Sequence, residues 1–156
     1  MSSIEDDISF LESVPLLRLV GRGPLRIIAI GADTQIIPED KVLFDDPDLV
    51  DAGYVVKRGR FGLRGAREKD EDFIAGPGTL LGELALISDK AAPNPVTALE
   101  ASTVMRVPRA LFVKMLDAYP EAALSLRDYF AARLDRSMSE IAKVKAAFAV
   151  PAKSRT

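Results

Sequence analysis

The chain contains no cysteine and no histidine. Those two absences remove disulfides, thiol nucleophiles, Cys/His zinc sites and imidazole acid–base chemistry. Only Asp, Glu, Lys, Tyr, Ser and Thr remain as groups for catalysis. Long apolar runs are also missing: no uninterrupted stretch approaches the ~20 residues that a membrane-spanning helix requires. The segment Met1-Ser2-Ser3-Ile4-Glu5-Asp6-Asp7 is acidic and lacks a basic region followed by an apolar one, so it does not read as a secretory signal. A cytoplasmic location, with no membrane partner, is the expectation. Charge imbalance is small as well. The formal net charge is −2, which supplies no global positive field to recruit nucleic acid or anionic lipid. No internal repeat and no low-complexity segment is visible.

What is present suits one domain with a real core. The chain has 156 residues and is 48% apolar, enough to fold without metals or disulfides. Residues 4–30 read as short helices, because Ile8, Leu11, Val14, Leu17 and Val20 recur at helical spacing. Gly21-Arg22-Gly23 interrupts them, and a second segment runs from Leu25 to Ala29. From about Asp33 to Pro108 the pattern changes. Short β-prone runs (Thr34–Ile37, Lys41–Phe44, Gly53–Lys57, Phe61–Leu63, Asp72–Ala75, Thr97–Leu99, Thr103–Val107) alternate with Gly, Pro and Asp turns, as in a small barrel or jelly roll. Within it, Gly82–Ile87 reads as a single helical turn. The chain is helical again from Arg109, and Pro120 stands where a further helix would start, followed by Glu121 at its positive end. The expected fold is therefore mainly β with flanking helices: an antiparallel roll over residues 33–108, a helical lid over 109–149, and a short disordered tail over 151–156, all in one domain spanning 1–150.

The stretch Gly76-Pro77-Gly78 followed by Leu81-Gly82-Glu83-Leu84-Ala85-Leu86-Ile87 carries the most specific signal. A glycine opening a short helix lets the backbone approach a ligand closely, and the N–H groups of Gly82, Glu83, Leu84 and Ala85 would serve as donors to an anion. Glu83 is too negative for a phosphate partner but is a good acceptor for a sugar hydroxyl. The plainer alternative is that the turn packs Leu84, Leu86 and Ile87 into the core while Glu83 caps its own helix. The run resembles the phosphate-binding cassette of the cyclic-nucleotide-binding domain family, where a G-E-L-A-L sequence holds a cyclic phosphate and a ribose. The resemblance covers roughly residues 9–148. Phe10 to Leu17 look like the family's first helix and turn, Asp45 to Val56 like its acidic hairpin and strand, Lys57-Arg58-Gly59-Arg60 like its turn glycine, and Val107 to Phe112 like the last strand entering the lid. It implies a non-enzymatic sensor whose ligand-binding residues are Gly82, Glu83, Leu84, Ala85, Asn94, Pro95 and Thr97, with Glu83 on the ribose 2′-hydroxyl. No cofactor is implied; the ligand would be cAMP.

One departure bears directly on that function. Where the family reads P-R-A-A-T, this chain reads Pro93-Asn94-Pro95-Val96-Thr97, so a neutral amide stands in the arginine's place. Losing a charged partner for a buried phosphate costs about 2–5 kcal/mol. Ala91 and Ala92 lengthen the preceding loop, and Pro95 removes a backbone donor. Lys90, Arg58, Arg60 and Arg106 are the cations available to compensate. In the family that the run resembles, a hydroxyl on the residue after the arginine favours guanine; Pro95 carries none, so the resemblance leans the expectation to cAMP over cGMP. The alternative is a degenerate domain that serves as a dimerisation or protein-interaction module or binds another small anion.

The remaining features have ordinary explanations. Asp45, Asp46, Asp48 and Asp51 lack EF-hand spacing and read as a solvated hairpin turn. Lys57, Arg58, Arg60, Arg64, Arg67 and Lys69 lie beside Glu68, Asp70, Glu71 and Asp72 and read as a solvated region. Phe130, Leu134, Met138, Ile141, Val144 and Phe148 form one apolar stripe at helical spacing, which points to a homodimer through the C-terminal helix, or to a lid covering the roll. Only Val150–Thr156 follow that helix here, too few for a helix-turn-helix, so direct DNA binding is not expected.

Overall fold

The computed structural model describes residues 3–44, 50–63, 73–88 and 95–132. The first helix, α1 (Ile4–Leu11), starts at Ser3, whose hydroxyl accepts the Asp6 N–H while the Asp6 carboxylate accepts the Ser3 N–H. This reciprocal pair satisfies two donors that a helix start leaves open. Helix α2 (Pro15–Arg18) has proline in its first turn, where the missing N–H costs nothing. Helix α3 (Arg22–Gly31) begins directly after Gly21, which has φ +90°. The expected interruption at Gly21-Arg22-Gly23 is thus shifted: the break runs from Leu19 to Gly21, and Arg22 and Gly23 already belong to the first turn of α3.

Among the described residues eight strands follow: β1 (Asp33–Ile37), β2 (Val42–Leu43), β3 (Ala52–Arg58), β4 (Phe61–Leu63), β5 (Phe73–Ala75), β6 (Leu80–Leu81), β7 (Val96–Ala98) and β8 (Ser102–Pro108). They form two antiparallel four-stranded sheets, ordered β1-β8-β3-β6 and β2-β7-β4-β5. This is the expected roll with flanking helices. Strand β6 was not expected. It has only two residues, too few to show alternation, and exists because Leu81 and Leu80 pair with Tyr54 and Val55. After β8 come α4 (Arg109–Ala118) and a helix over residues 120–132, here α5. The break at Tyr119 and the start at Pro120 agree with the sequence pattern. Of the C-terminal stripe, Phe130 is buried in the core; Leu134, Met138, Ile141, Val144 and Phe148 lie outside the described residues, as do the distal lid and the tail.

The core has two parts, one on each side of the first sheet. Val55, Met105 and Val107 face the helices and pack with Ile8, Leu17, Ile28, Phe112 and Met115. Their strand neighbours Val56 and Val104 point the other way and close the roll's interior with Phe44, Phe61, Leu81, Val96 and Ala98. Period-two alternation on β3 and β8 therefore serves both halves at once. Close approach of the helical layers depends on α3: a Cβ at Gly31 would lie 2.6 Å from Leu111 of α4, and one at Gly23 would lie 3.2 Å from the Tyr119 hydroxyl.

Candidate functional site

The turn Gly76-Pro77-Gly78 lifts the chain off β5 and returns it as β6. Gly78, at φ +87°, donates its N–H to the Val56 carbonyl (2.8 Å), and Val56 donates to Thr79 (2.9 Å). The chain then enters Gly82 in the left-handed region (φ +77°, ψ +37°) and winds into one 3₁₀ turn, Glu83–Leu86. Two independent reasons fix glycine at position 82. A side chain would be strained at that φ, and a Cβ would lie 2.9 Å from the Phe44 ring and 3.3 Å from the Ala52 carbonyl oxygen. Phe44 itself packs edge-on against Tyr54, with ring centroids 5.6 Å apart.

Within the turn, the Ala85 N–H donates to the Gly82 carbonyl (3.0 Å), and the N–H groups of Ile87 and Ser88 both donate to the Leu84 carbonyl (3.2 and 3.0 Å). Ala85 was expected among the donors open to an anion; its N–H is instead engaged inside the turn. Glu83 is half-buried, with Oε1 shielded from solvent. The packing alternative fits only in part. Leu86 is fully buried, but Leu84 is 51% exposed and Ile87 is 42% exposed. The turn is therefore anchored by Ala85 and Leu86 and presents Leu84 and Ile87 outward.

Gly82, Glu83, Leu84 and Ala85 thus share one turn beside the roll's interior wall. Pro95 is exposed at the entry to β7. Thr97 is half-buried and pairs with Val42 and Gly62. Because Val96 and Ala98 face the interior, alternation turns the Thr97 side chain to the opposite face. Asn94 lies outside the described residues. So do Lys90, Ala91, Ala92 and Pro93, the aspartates Asp45, Asp46 and Asp48, and Arg64, Arg67, Glu68, Lys69, Asp70, Glu71 and Asp72.

The other candidate cations are accounted for as follows. Arg58 is exposed, and Arg60 pairs with Glu100 (2.9 Å). Arg106 is opposite Tyr54, and Tyr54 is opposite Leu81, so the three form a row on the interior face of the first sheet. Its guanidinium meets Asp51 (3.0 Å) and reaches Asp33 at 4.0 Å. Burial works against the Arg106 charge, but a Tyr54 hydrogen bond and the Asp51 carboxylate outweigh it and raise the group further above its ordinary range.

Arg109 was not singled out by the sequence pattern. Its Nε donates to the Ala85 carbonyl (2.7 Å) and its Nη2 to the Val50 carbonyl (2.8 Å). Its backbone N–H donates to the Asp51 carbonyl (2.7 Å). One signal was readable in advance. A cation in the first turn of a helix sits at the wrong end of the dipole, and such a local conflict marks a tertiary task.

Among the described residues, no group of three or more His, Cys, Asp or Glu side chains is arranged to hold a metal ion, and no helix is long and apolar enough to cross a membrane. Comparison with known proteins matches the architecture. The curated relative lysophospholipase nte1 of Neurospora crassa is 24% identical over 149 residues, covering 81% of this chain; the chain spans about a tenth of that protein's length. A cyclic nucleotide-binding-like protein from Brucella abortus is 28% identical with a TM-score of 0.61, over 72% of this chain and 98% of that one. The regulatory domain of Toxoplasma gondii PKA, solved with cAMP, is 20% identical with a TM-score of 0.66, over 85% of this chain and 50% of that one. The family model described as cyclic nucleotide-binding domain matches residues 34–119, more than half of the chain, from Thr34 in β1 through α4. The chain belongs to the cyclic nucleotide-binding domain family.

Proposed function

We propose that this chain is a non-enzymatic sensor module that binds a cyclic nucleotide, cAMP in preference to cGMP, and reports occupancy through the helices after the roll. The observation that carries this reading is the Gly82–Leu86 turn, which has the family's residue order and holds the half-buried Glu83 carboxylate beside the roll's interior wall. Glu83 would accept a hydrogen bond from the ribose, a role for an acceptor with no proton to give. The shared fold with the PKA regulatory domain solved with cAMP supports a cyclic nucleotide as the ligand class. A cytoplasmic location and a homodimer through the apolar stripe at Met138 and Ile141 complete the proposal.

A second reading, a domain that has lost its nucleotide, is favoured by one specific feature: Asn94 carries no charge, and Arg60 and Arg106 are already engaged by carboxylates. Calorimetric titration of the full chain with cAMP and cGMP separates the two. Wild type should bind cAMP weakly. Asn94→Arg should tighten binding by at least tenfold, about 1.4 kcal/mol, by restoring a charge-assisted contact, and Glu83→Ala in that background should weaken it again. Equal, tight binding by wild type and Asn94→Arg would mean that another cation already does the arginine's work, and Arg106 on the interior row is the first to test. No binding by either leaves the degenerate reading. For assembly, Met138→Glu with Ile141→Glu should convert a dimer to monomers in sedimentation, since two charges in an apolar seam go unpaired; a monomeric wild type ends the dimer proposal.

A further inference from the structure

The 3₁₀ turn and helix α4 meet in two ways. Leu86 belongs to the same core cluster as Phe112 and Met115, one turn and two turns into α4. The second contact is polar and directional. A helical turn leaves its last carbonyls without partners of its own, and the Ala85 carbonyl is taken by the Arg109 guanidinium. The planar fork then reaches a second segment, the Val50 carbonyl just before β3. Arg109 is the first residue of α4, and its own N–H is fixed to Asp51. One side chain therefore ties together the turn, the entry to β3 and the start of α4.

We propose that Arg109 is the positioning residue that couples the Gly82–Leu86 turn to helix α4. The inference rests on the sensor reading for its purpose, but the coupling itself belongs to the ligand-free molecule. Any shift of the Ala85 carbonyl relative to β3 lengthens or realigns one branch of the fork. Since the guanidinium is planar, both branches cannot follow independently, and the strain passes to the first turn of α4. By thermodynamic reciprocity, a displaced α4 alters the turn to the same extent. Leu86 packing alone tolerates sliding and carries no such directional constraint.

The test is amide hydrogen exchange on the full chain without ligand, in a double-mutant cycle. Leu111→Ala loosens α4 where it packs over Gly31 of α3. It should accelerate exchange at Ile87 and Ser88 in the wild type. In Arg109→Met that response should disappear, a departure from additivity of about tenfold, while exchange in β1 is unchanged between the two. Arg109→Lys, which keeps the charge but loses the fork, should behave as Arg109→Met. Additive effects, or equal acceleration at the turn and in β1, would reduce Arg109 to a general stabilising contact and overturn the proposal. A second arm adds cAMP to the Asn94→Arg protein. Protection should appear at 83–88 and at 110–118, and should stop at the turn when Arg109→Met is added. If cAMP binds nowhere, the nucleotide reading falls while the ligand-free cycle still decides the coupling.

Discussion

The two sheets of the roll do different amounts of work. In the sheet ordered β1-β8-β3-β6, strands β3 and β8 are seven residues long and bury side chains on both faces, against the helices on one side and the roll's interior on the other. In the sheet ordered β2-β7-β4-β5, every strand is two or three residues long. It contributes to the interior only, and its other surface carries exposed apolar side chains: Ile74 at 65% and Leu99 at 37% exposure. The candidate site hangs from the first sheet. The 3₁₀ turn leaves β6, and Arg109 leaves β8. The doubly packed sheet is the better-packed anchor for that turn. The second sheet supplies the far wall.

The largest expected effects test that asymmetry directly. Phe112→Ala opens the helix-facing core and Phe61→Ala opens the interior; both rings are fully buried, so each should cost about 3–5 kcal/mol in urea denaturation. Phe73, on the edge of the second sheet, is 65% exposed, and Phe73→Ala should stay within about 0.5 kcal/mol. A Phe73 cost equal to that of Phe61 would mean that the β5 edge of the second sheet is packed against something, and the comparison would fail.

A smaller effect sharpens the comparison at the point where the chain passes from one sheet to the other. Gly59, between β3 and β4, has φ +99°, and a Cβ there would lie 2.0 Å from the Ser102 hydroxyl and 2.8 Å from its Cα. Gly59→Ala should cost about 2–4 kcal/mol from backbone strain plus overpacking. Gly76, on the approach to β6, would have a Cβ with nothing within 4 Å, so Gly76→Ala should be close to neutral, both variants being measured by urea denaturation. Similar losses at both positions would show that loop entropy, not close approach, governs these glycines.

The same asymmetry explains what could be read from the sequence. Strands β3, β4, β7 and β8 announce themselves as β-prone runs between Gly, Pro and Asp turns. The 3₁₀ turn was legible because Gly82 must be glycine. That requirement, however, is already met by φ and by the Phe44 ring, so a glycine there is not by itself evidence of a ligand. Strand β6 was illegible because its pairing with Tyr54 and Val55 is a property of β3, not of Leu80 and Leu81. The Arg109 contacts were illegible for a related reason: both side-chain partners are backbone carbonyls, which leave no residue-type signature. Thr97 stands at the family's final threonine, and its register in β7 turns its side chain from the interior.

The smallest expected effect lies on the helical side of the first sheet, where α1 and α3 are joined through charges. Glu5 takes Arg26 and Arg22, and Arg22 also reaches Glu12. The Glu5 carboxyl is held below its ordinary value of 4.5, first by the Arg26 hydrogen bond and charge and then by Arg22. A depressed folded-state pKa stabilises fully above the unfolded value and is lost as pH falls through the folded one. Wild type and Glu5→Gln should therefore differ slightly at about pH 6 and converge at about pH 3 in thermal unfolding. All three side chains are about half exposed, so the difference should shrink when salt is raised toward 1 M, where the screening length is about 3 Å. A difference that survives both acid and salt would have an uncharged origin in the Glu5 side chain, since the helix-start effect of an acidic residue also fades on protonation and in salt, and would remove the charge clasp from the account of how the helices sit on the sheet.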